Sequence, residues 1–222
     1  MTRMRLLVLH DAGDPSPVER WSRLVDRWDG PALLPVQPGH GEVPPPEGGN
    51  YSAADAAVVA ARAMASAGWP HGDDDGWPVV VGQGWGAYAA ELVAMAGRAG
   101  ALVLIDGLGG PWVGVDALVA DQHAWLHAVV GDPDALAPPR SSLDPRLAHG
   151  FPTVWERAHT AARRAAITVP VAAIETPASP TPAGDRSRRL AQFGGDAALH
   201  EVDALDIGAV AAIAGSMAGP FP

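Results

Sequence analysis

The chain has no cysteine among its 222 residues. Disulfide bonds, thiolate metal sites and cysteine nucleophiles are therefore excluded. An excess of basic residues is also absent, because 25 acidic side chains outnumber 15 basic ones and give a formal net charge of −10. A nucleic-acid partner would require a basic face to neutralise its phosphates, so the composition argues against such a partner.

Long hydrophobic runs are missing as well. No stretch reaches the roughly 18 consecutive apolar residues that a membrane-spanning helix needs. The apolar run 6–9 follows Arg3 and Arg5, but it is far shorter than the hydrophobic part of a secretory signal and no small-residue cleavage site follows it. We therefore expect a cytoplasmic protein without a membrane partner, and we interpret 6–9 as a first β-strand.

Short apolar runs without polar alternation alternate along the chain with segments of helical periodicity. Such runs are typical of strands buried on both faces of a parallel sheet. The predicted strands are 6–9, 33–36, 79–81, 101–105, 169–174 and 197–202, and the predicted helices are 18–28, 53–67, 87–96, 186–193 and 207–217. This order predicts an α/β fold, with a doubly wound, mainly parallel sheet of about six strands whose ligands bind at the carboxyl ends of the strands.

One segment, 112–166, interrupts the alternation. Its helical periodicity and its proline-rich joint predict a small helical cap, inserted within a single domain that spans 1–222. The cap contains three tryptophans and a histidine pair at i, i+4: Trp112, Trp125, Trp155, His123 and His127. Two histidines without a third ligand do not make a metal site, and tryptophans at helical spacing usually pack in a core, so no metal is predicted.

The central feature of the sequence is the run Gly82-Gln83-Gly84-Trp85-Gly86, which follows the apolar strand 79–81 and precedes a helix of small residues. This pattern predicts a strand that turns sharply into a helix. In the related G-x-S-x-G turn, the nucleophile elbow, the central serine is held in a strained conformation and is exposed above the sheet. Here the central residue is Gly84, which has no atom that could attack a carbonyl.

Five segments, in this order, resemble the α/β-hydrolase superfamily in a short form without its first two antiparallel strands. They are 7–13, 35–42, Tyr51-Ser52, the elbow and 102–106. In that family the first segment supplies one oxyanion-hole amide, and the second is the loop that contains a mostly structural histidine, here His40. The resemblance implies a cleft above the elbow. Its candidate ligand-binding residues are His10, Asp11, Gln83, Gly84, Trp85, Asp106, Trp112, Trp125 and Asp206.

The sequence departs from the family at all three catalytic positions. Gly84 replaces the nucleophile. The loop that begins at Glu175 has no aspartate where the family has one, and Asp206 or a neighbour stands where the catalytic histidine is expected. These three groups act as a unit, and losing the nucleophile or the base alone typically costs ~10⁶ in turnover. We therefore expect no serine-hydrolase activity, and the catalytic residues remain unknown.

Three functions stay open at this point. The first is a binding protein without hydrolytic activity, whose ligand is a small apolar or aromatic molecule, with a protein partner or a homo-oligomer as further options. The second is a lyase, cyclase or isomerase that uses His10, Asp106 or Asp206 as acid or base, which would require two polar groups within hydrogen-bond reach above Gly84. The third is a hydrolase whose nucleophile has moved to Ser179 or Ser141. No cofactor is expected for any of them.

The elbow also gives an expectation about stability. If Gly84 has a positive φ and its surroundings are open, Gly84→Ala should destabilise the protein by roughly 1 kcal/mol through backbone strain alone. A loss well above this would mean that the cleft over Gly84 is filled, and it would count against ligand binding if Trp85, Trp112 and the cap helices packed directly onto the sheet.

Overall fold

A computed structural model describes residues 4–11, 16–44, 52–69, 76–108, 160–179 and 181–217. In these residues six strands form one parallel sheet, so the predicted doubly wound parallel sheet is confirmed. The strands are β1 (Leu6–Leu9), β2 (Ala32–Leu33), β3 (Val79–Gln83), β4 (Ala101–Ile105), β5 (Val171–Glu175) and β6 (Ala197–Glu201), and their order in the sheet is β2-β1-β3-β4-β5-β6. The predicted cap lies almost entirely outside the described residues, and so do Trp112, Trp125, Trp155, His123, His127 and Ser141.

Helices cover both faces of the sheet. They are α1 (Pro17–Arg27), α2 (Ala53–Ser66), α3 (Trp85–Met95), α4 (Thr160–Ala165), α5 (Ala183–Leu190) and α6 (Ile207–Met217). Alternate strand residues point to opposite faces. One set, which includes Leu7 and Leu9, packs with residues of α2, α3 and α5. The other set, which includes Leu6 and Val8, packs with residues of α1 and α6.

The register of the strands brings several loops to the same edge. Leu9 of β1 pairs with Gly82 of β3, and Gln83 at the end of β3 pairs with Ile105 at the end of β4. Continuing this register places Gly84 between the residues that follow β1 and those that follow β4. The loops that carry the candidate site residues therefore start side by side at the carboxyl edge of the sheet.

The observed boundaries of strands and helices agree best with the predicted ones where an apolar run has sharp ends. The ranges of β1, β4 and α6 match the prediction. The predicted range of the second strand is wrong. It was expected at 33–36, but β2 is limited to Ala32–Leu33. Within the described sheet β2 is an edge strand that pairs with β1 alone, and Pro35 has no N–H to extend the ladder. Helix α5 begins three residues earlier than predicted, and β5 begins two residues later.

Local capping explains where two helices begin. Ser52 accepts a hydrogen bond from the Asp55 N–H at 3.0 Å, and the Asp55 carboxylate accepts from the Ser52 N–H, which makes a capping box at the start of α2. Pro17 occupies the first turn of α1, where a missing N–H costs nothing. None of the helices in the described ranges is both long enough and apolar enough to cross a membrane.

Candidate functional site

The turn between β3 and α3 has the backbone conformation of an elbow. Gly84 has φ +52° and ψ −115° and directly precedes the first residue of α3. Its N–H donates to the Ile105 carbonyl of the neighbouring strand at 2.8 Å. Residues with a side chain rarely adopt this positive φ, so glycine is suited to the position. The sharp strand-to-helix turn expected from the glycine spacing is thus present.

The carboxylate of Asp11 occupies the position that an elbow side chain would take. A β-carbon added to Gly84 would lie 2.6 Å from Asp11 Cγ and 2.8 Å from Oδ2, and closer still to Oδ1. Asp11 Oδ1 accepts a hydrogen bond from the Trp85 N–H at 2.8 Å. Trp85 is the first residue of α3, so the carboxylate lies at the positive end of the helix dipole and satisfies one of its unpaired amides.

This contact changes the expectation for Gly84→Ala. The expected loss of roughly 1 kcal/mol assumed open space, whereas the new methyl group would displace the Asp11 carboxylate from the Trp85 N–H. A hydrogen bond to a charged group contributes about 1.5–3 kcal/mol. The backbone strain of about 1 kcal/mol adds to this loss, so we expect Gly84→Ala to destabilise the protein by about 2.5–4 kcal/mol, measured by urea unfolding.

A double-mutant cycle separates the two causes of this loss. In an Asp11→Ala background the methyl group no longer meets a carboxylate, so Gly84→Ala should cost only the backbone strain of about 1 kcal/mol. If the cost of Gly84→Ala is the same in both backgrounds, the Asp11 carboxylate does not occupy the elbow.

The side chain of Trp85 points into the core beneath the elbow. It is 3% exposed and packs in the core cluster with Leu9 and Val80. Its backbone N–H is the group that donates to Asp11. Gln83 and Gly84 are half-buried, as is Asp11, so all three residues keep some solvent exposure at the carboxyl edge of the sheet.

His10 is fully buried and both of its ring nitrogens are hydrogen-bonded. The Gln37 N–H donates to Nε2 at 3.0 Å. Nε2 therefore carries no proton, and the proton of the neutral ring is on Nδ1, which donates to the Asp11 carbonyl at 2.9 Å. The ring links the ends of two loops and holds the backbone of Asp11.

His40 is also fully buried and packs edge-on against His10, with 4.7 Å between the ring centroids. Its Nδ1 lies 3.1 Å from the Pro38 carbonyl. Gln37, in the same loop, is 2% exposed, and neither atom of its side-chain amide has a hydrogen-bond partner. Gln83 Oε1 is likewise buried without a partner. Gln37 lies in the family-like segment 35–42, but the sequence did not single it out as a candidate site residue.

Asp106 follows β4 and has a positive φ of 49°. Its carboxylate accepts hydrogen bonds from the N–H of Thr176 at 2.7 Å and from its hydroxyl at 2.9 Å. These bonds connect the loops after β4 and β5. Asp206, which is exposed, accepts from the Gly208 N–H at 3.0 Å at the start of α6. Both carboxylates therefore have structural hydrogen bonds to backbone groups.

Glu175, the last residue of β5, is fully buried. Its carboxylate accepts from the Leu108 N–H at 3.3 Å and from the hydroxyl of Ser179. Burial raises the pKa of Glu175 above its ordinary value of 4.5, and the charge of Asp106 adds to this. Ser179 also accepts from the Thr181 N–H at 3.0 Å, and no described histidine bonds to it. Its contacts are those of a turn residue.

The raised pKa of Glu175 predicts a pH dependence of stability with a defined sign. The folded protein binds this proton more tightly than the unfolded chain, so its contribution to stability is complete below pH 4.5 and is lost as the pH rises through the folded pKa. We expect Glu175→Gln to remove this decline when the free energy of unfolding is compared with that of the wild type across pH 4 to 8. The exposed Glu201→Gln is the control. A wild-type-minus-variant difference that does not change with pH would contradict the assignment.

A buried ion cluster lies beside the first residues after β4. The carboxylate of Glu91 in α3 is fully buried, and it accepts from Arg163 at 2.8 Å and from Arg164 at 2.8 Å, both in α4. Arg164 also donates to the Gly107 carbonyl at 3.5 Å and lies 5.0 Å above the Phe193 ring. The cluster joins α3, α4 and the loop after β4, and the sequence analysis did not identify it.

The described residues contain no group of side chains arranged like a metal site. No three of their histidine, aspartate or glutamate side chains come together in a way that could hold a metal ion. The structure brings together Asp11, Gln83, Gly84 and the Trp85 N–H. It places His10 directly beside them as a buried structural residue, and it directs the carboxylates of Asp106 and Asp206 to other loops.

Comparison with known proteins identifies the fold. No protein-family model matches the chain, and no curated protein is similar enough to match. Among solved structures, it resembles a haloalkane dehalogenase from Bradyrhizobium elkani USDA94 (TM-score 0.72, 18% identity, 97% of this chain and 90% of that chain). A monoacylglycerol lipase from Paleococcus ferrophilus (0.68, 15%, 96% and 94%) and an enol-lactonase from Burkholderia xenovorans LB400 (0.63, 17%, 98% and 91%) are similar too. The chain has the α/β-hydrolase fold.

Proposed function

We propose that this protein binds a small molecule with an apolar or aromatic part in the cleft above the elbow, and that it does not hydrolyse esters. The observation that carries the proposal is the Asp11 carboxylate at the place of the elbow side chain. A protein that had lost both catalysis and its pocket could fill this place with apolar packing. Here a polar, half-buried group fills it instead.

The names of the structural neighbours support a ligand of this size. A haloalkane, a monoacylglycerol and an enol-lactone are all small organic molecules with an apolar part. The acidic composition of this chain favours such a ligand over a polyanion. The cap tryptophans Trp112 and Trp125, outside the described residues, are the proposed source of apolar contacts.

The first test is the absence of ester hydrolysis. Gly84 supplies no nucleophile, and the two described histidines near the elbow are buried and bonded to loop backbone, so no activated serine is expected. The purified protein should neither hydrolyse p-nitrophenyl esters nor react with a fluorophosphonate probe. Gly84→Ser should not rescue activity, because a base is still missing. Stoichiometric labelling of one serine in the wild type would refute the proposal.

Direct evidence for the ligand would come from native mass spectrometry of the purified protein. A bound small molecule should remain with the wild type and should be lost or weakened in Asp11→Ala, whereas Asp206→Ala should retain it. Asp206 is the matched control because its carboxylate also bonds to a backbone N–H at a helix start, but in an exposed loop.

If the protein is instead a lyase, cyclase or isomerase, Asp11 is the residue we expect to act as its acid or base. Acid-base catalysis needs a group within hydrogen-bond reach of the substrate, and Asp11 is the described carboxylate at the elbow. His10 is held in one tautomer by two bonds, and Asp106 is bonded to Thr176 through both oxygens. A lyase, cyclase or isomerase on this chain would therefore depend on Asp11. Turnover of the identified ligand that disappears in Asp11→Asn, while binding persists, would favour the enzyme.

A further inference from the structure

The two outer strands of the sheet differ in length and composition. β2 has two residues, and Pro35 follows it closely. β6, at the opposite edge, has five residues that pair with β5 without a break. It contains neither proline nor lysine, the residues with which proteins commonly keep an edge strand from pairing further. Within the described ranges no strand lies on its outer side. The β6 edge is therefore open to a further strand.

The side chains of β6 leave its backbone accessible. Ala197, Ala198 and Glu201 are exposed, and Leu199 and His200 are half-buried. All five residues of the neighbouring strand β5 are buried, by contrast. Because the exposed residues of β6 include two alanines, another strand could approach to the usual separation of about 4.8 Å without meeting a bulky side chain there.

The backbone of β6 also presents hydrogen-bonding groups to this open side. The Val171 N–H donates to the Asp196 carbonyl at 2.8 Å, and the Val202 N–H donates to the Glu175 carbonyl at 3.1 Å. The even-numbered residues along β6 therefore bond to β5, and the odd-numbered ones direct their N–H and C=O groups away from it. The residues with outward backbone groups are Ala197, Leu199 and Glu201.

A second copy of β6 matches these groups when the two strands run antiparallel about a twofold axis at Leu199. Ala197 of each copy then lies opposite Glu201 of the other, and the two Leu199 residues face each other. Opposite residues of this kind exchange both of their hydrogen bonds. No shift of the register pairs all three outward residues with one another. The edge is thus complementary to itself, as a twofold interface requires.

The charges along β6 fit the same arrangement. The Glu201 carboxylate accepts from Arg186 of its own chain at 2.7 Å, and in the twofold register it lies opposite Ala197 instead of a second glutamate. His200 lies opposite Ala198. No like charges within β6 are therefore opposed. The net charge of −10 on each copy is a longer-range repulsion that salt screens.

We infer that this protein forms a twofold-symmetric dimer in which the β6 strands of two copies pair antiparallel, with Leu199 on the axis. The pairing joins the two six-stranded sheets into one continuous sheet. The inference is independent of the proposed ligand and of the residues around the elbow.

A single introduced cysteine tests the register directly, because the chain has no cysteine of its own. In Leu199→Cys the two α-carbons would be about 5.5 Å apart, within the range that a disulfide spans. In His200→Cys they would be about 8 Å apart, which is too far. Both positions are half-buried, so they are matched. We expect mild oxidation to give a covalent dimer of Leu199→Cys and not of His200→Cys.

Charge changes at Ala197 provide a second, reversible test. Sedimentation equilibrium would be run at about 0.15 M ionic strength, where the Debye length is about 8 Å. Ala197→Glu opposes Glu201 twice by symmetry and should weaken the dimer at least about fivefold, whereas Ala197→Lys should strengthen it. Ala54→Glu, at an exposed position of α2, makes the same change of charge elsewhere and should leave the dimer unchanged. Since Ala197 is exposed, all three variants should melt at the wild-type temperature.

Three results would overturn the inference. The first is a wild type that stays monomeric, which would leave an extended segment of another protein as the occupant of the β6 edge. The second is a dimer that Ala197→Glu and Ala197→Lys affect equally, because the twofold register requires opposite effects. The third is a disulfide that forms as readily in His200→Cys as in Leu199→Cys, which would place the contact elsewhere.

Discussion

Replacing Glu91 with glutamine is expected to destabilise the protein by about 3–5 kcal/mol, which is the usual cost of breaking a buried ion pair by removing one partner. The Glu91 carboxylate is fully buried and bonds to Arg163 and Arg164, whose side chains are 10% and 1% exposed. Glutamine keeps the shape of the side chain but removes its charge. Two arginine charges would then remain away from water without a counter-ion at this position.

Urea unfolding followed by circular dichroism measures this loss. The exposed pair Arg188–Asp185 provides the control, because Arg188 is 70% exposed and solvent screens the interaction. Arg188→Gln should leave the unfolding midpoint almost unchanged. If Glu91→Gln costs no more than the control, the cluster does not stabilise the junction between α3, α4 and the loop after β4.

Replacing Gly86 with alanine is expected to cost on the order of 4 kcal/mol or more, which places it among the most damaging single substitutions. Gly86 lies in the first turn of α3, where the helix crosses the end of β1. An added β-carbon would lie 2.5 Å from the His10 carbonyl oxygen and closer to that of Leu9. Both contacts are with backbone, so relief requires α3 to move away from the sheet and disturbs the elbow.

A second helical glycine isolates the steric cause. Gly215 in α6 has no heavy atom within 4 Å of an added β-carbon, so Gly215→Ala should stabilise the protein by about 0.5–1 kcal/mol through helix propensity. The same chemical change therefore has opposite expected signs in the two helices. Thermal unfolding of both variants is the measurement, and a small effect at Gly86 would mean that α3 does not approach β1 this closely.

Strand positions show how far local pattern determines structure. The ranges of β1 and β4 follow from apolar runs that end in polar or glycine residues, and both strands are buried on each side. The range of β2 could not be predicted in the same way. An edge strand is only as long as its pairing with its single neighbour, and that pairing involves residues distant in the chain.

In the candidate site, too, local sequence predicted some features, whereas contacts between distant residues decided others. Glycine spacing predicted the sharp turn at Gly84, because that conformation depends on local backbone sterics. The same sequence predicted that a serine nucleophile is missing. It could not predict that Asp11 would bond to the Trp85 N–H, 74 residues along the chain. Nor could it show that Gln37 would be buried with both amide atoms unpaired.

The amino-acid sequence by itself determined the α/β alternation, the elbow and the glycine at its centre, because each depends on residue types within a few positions of one another. Only the tertiary structure decided which groups share the space above the elbow. Parallel strands place residues distant in sequence at one edge of the sheet, and burial then determines which of their polar atoms are paired. The carboxylate of Asp11 at the elbow and the buried charge of Glu91 both arise from that assembly.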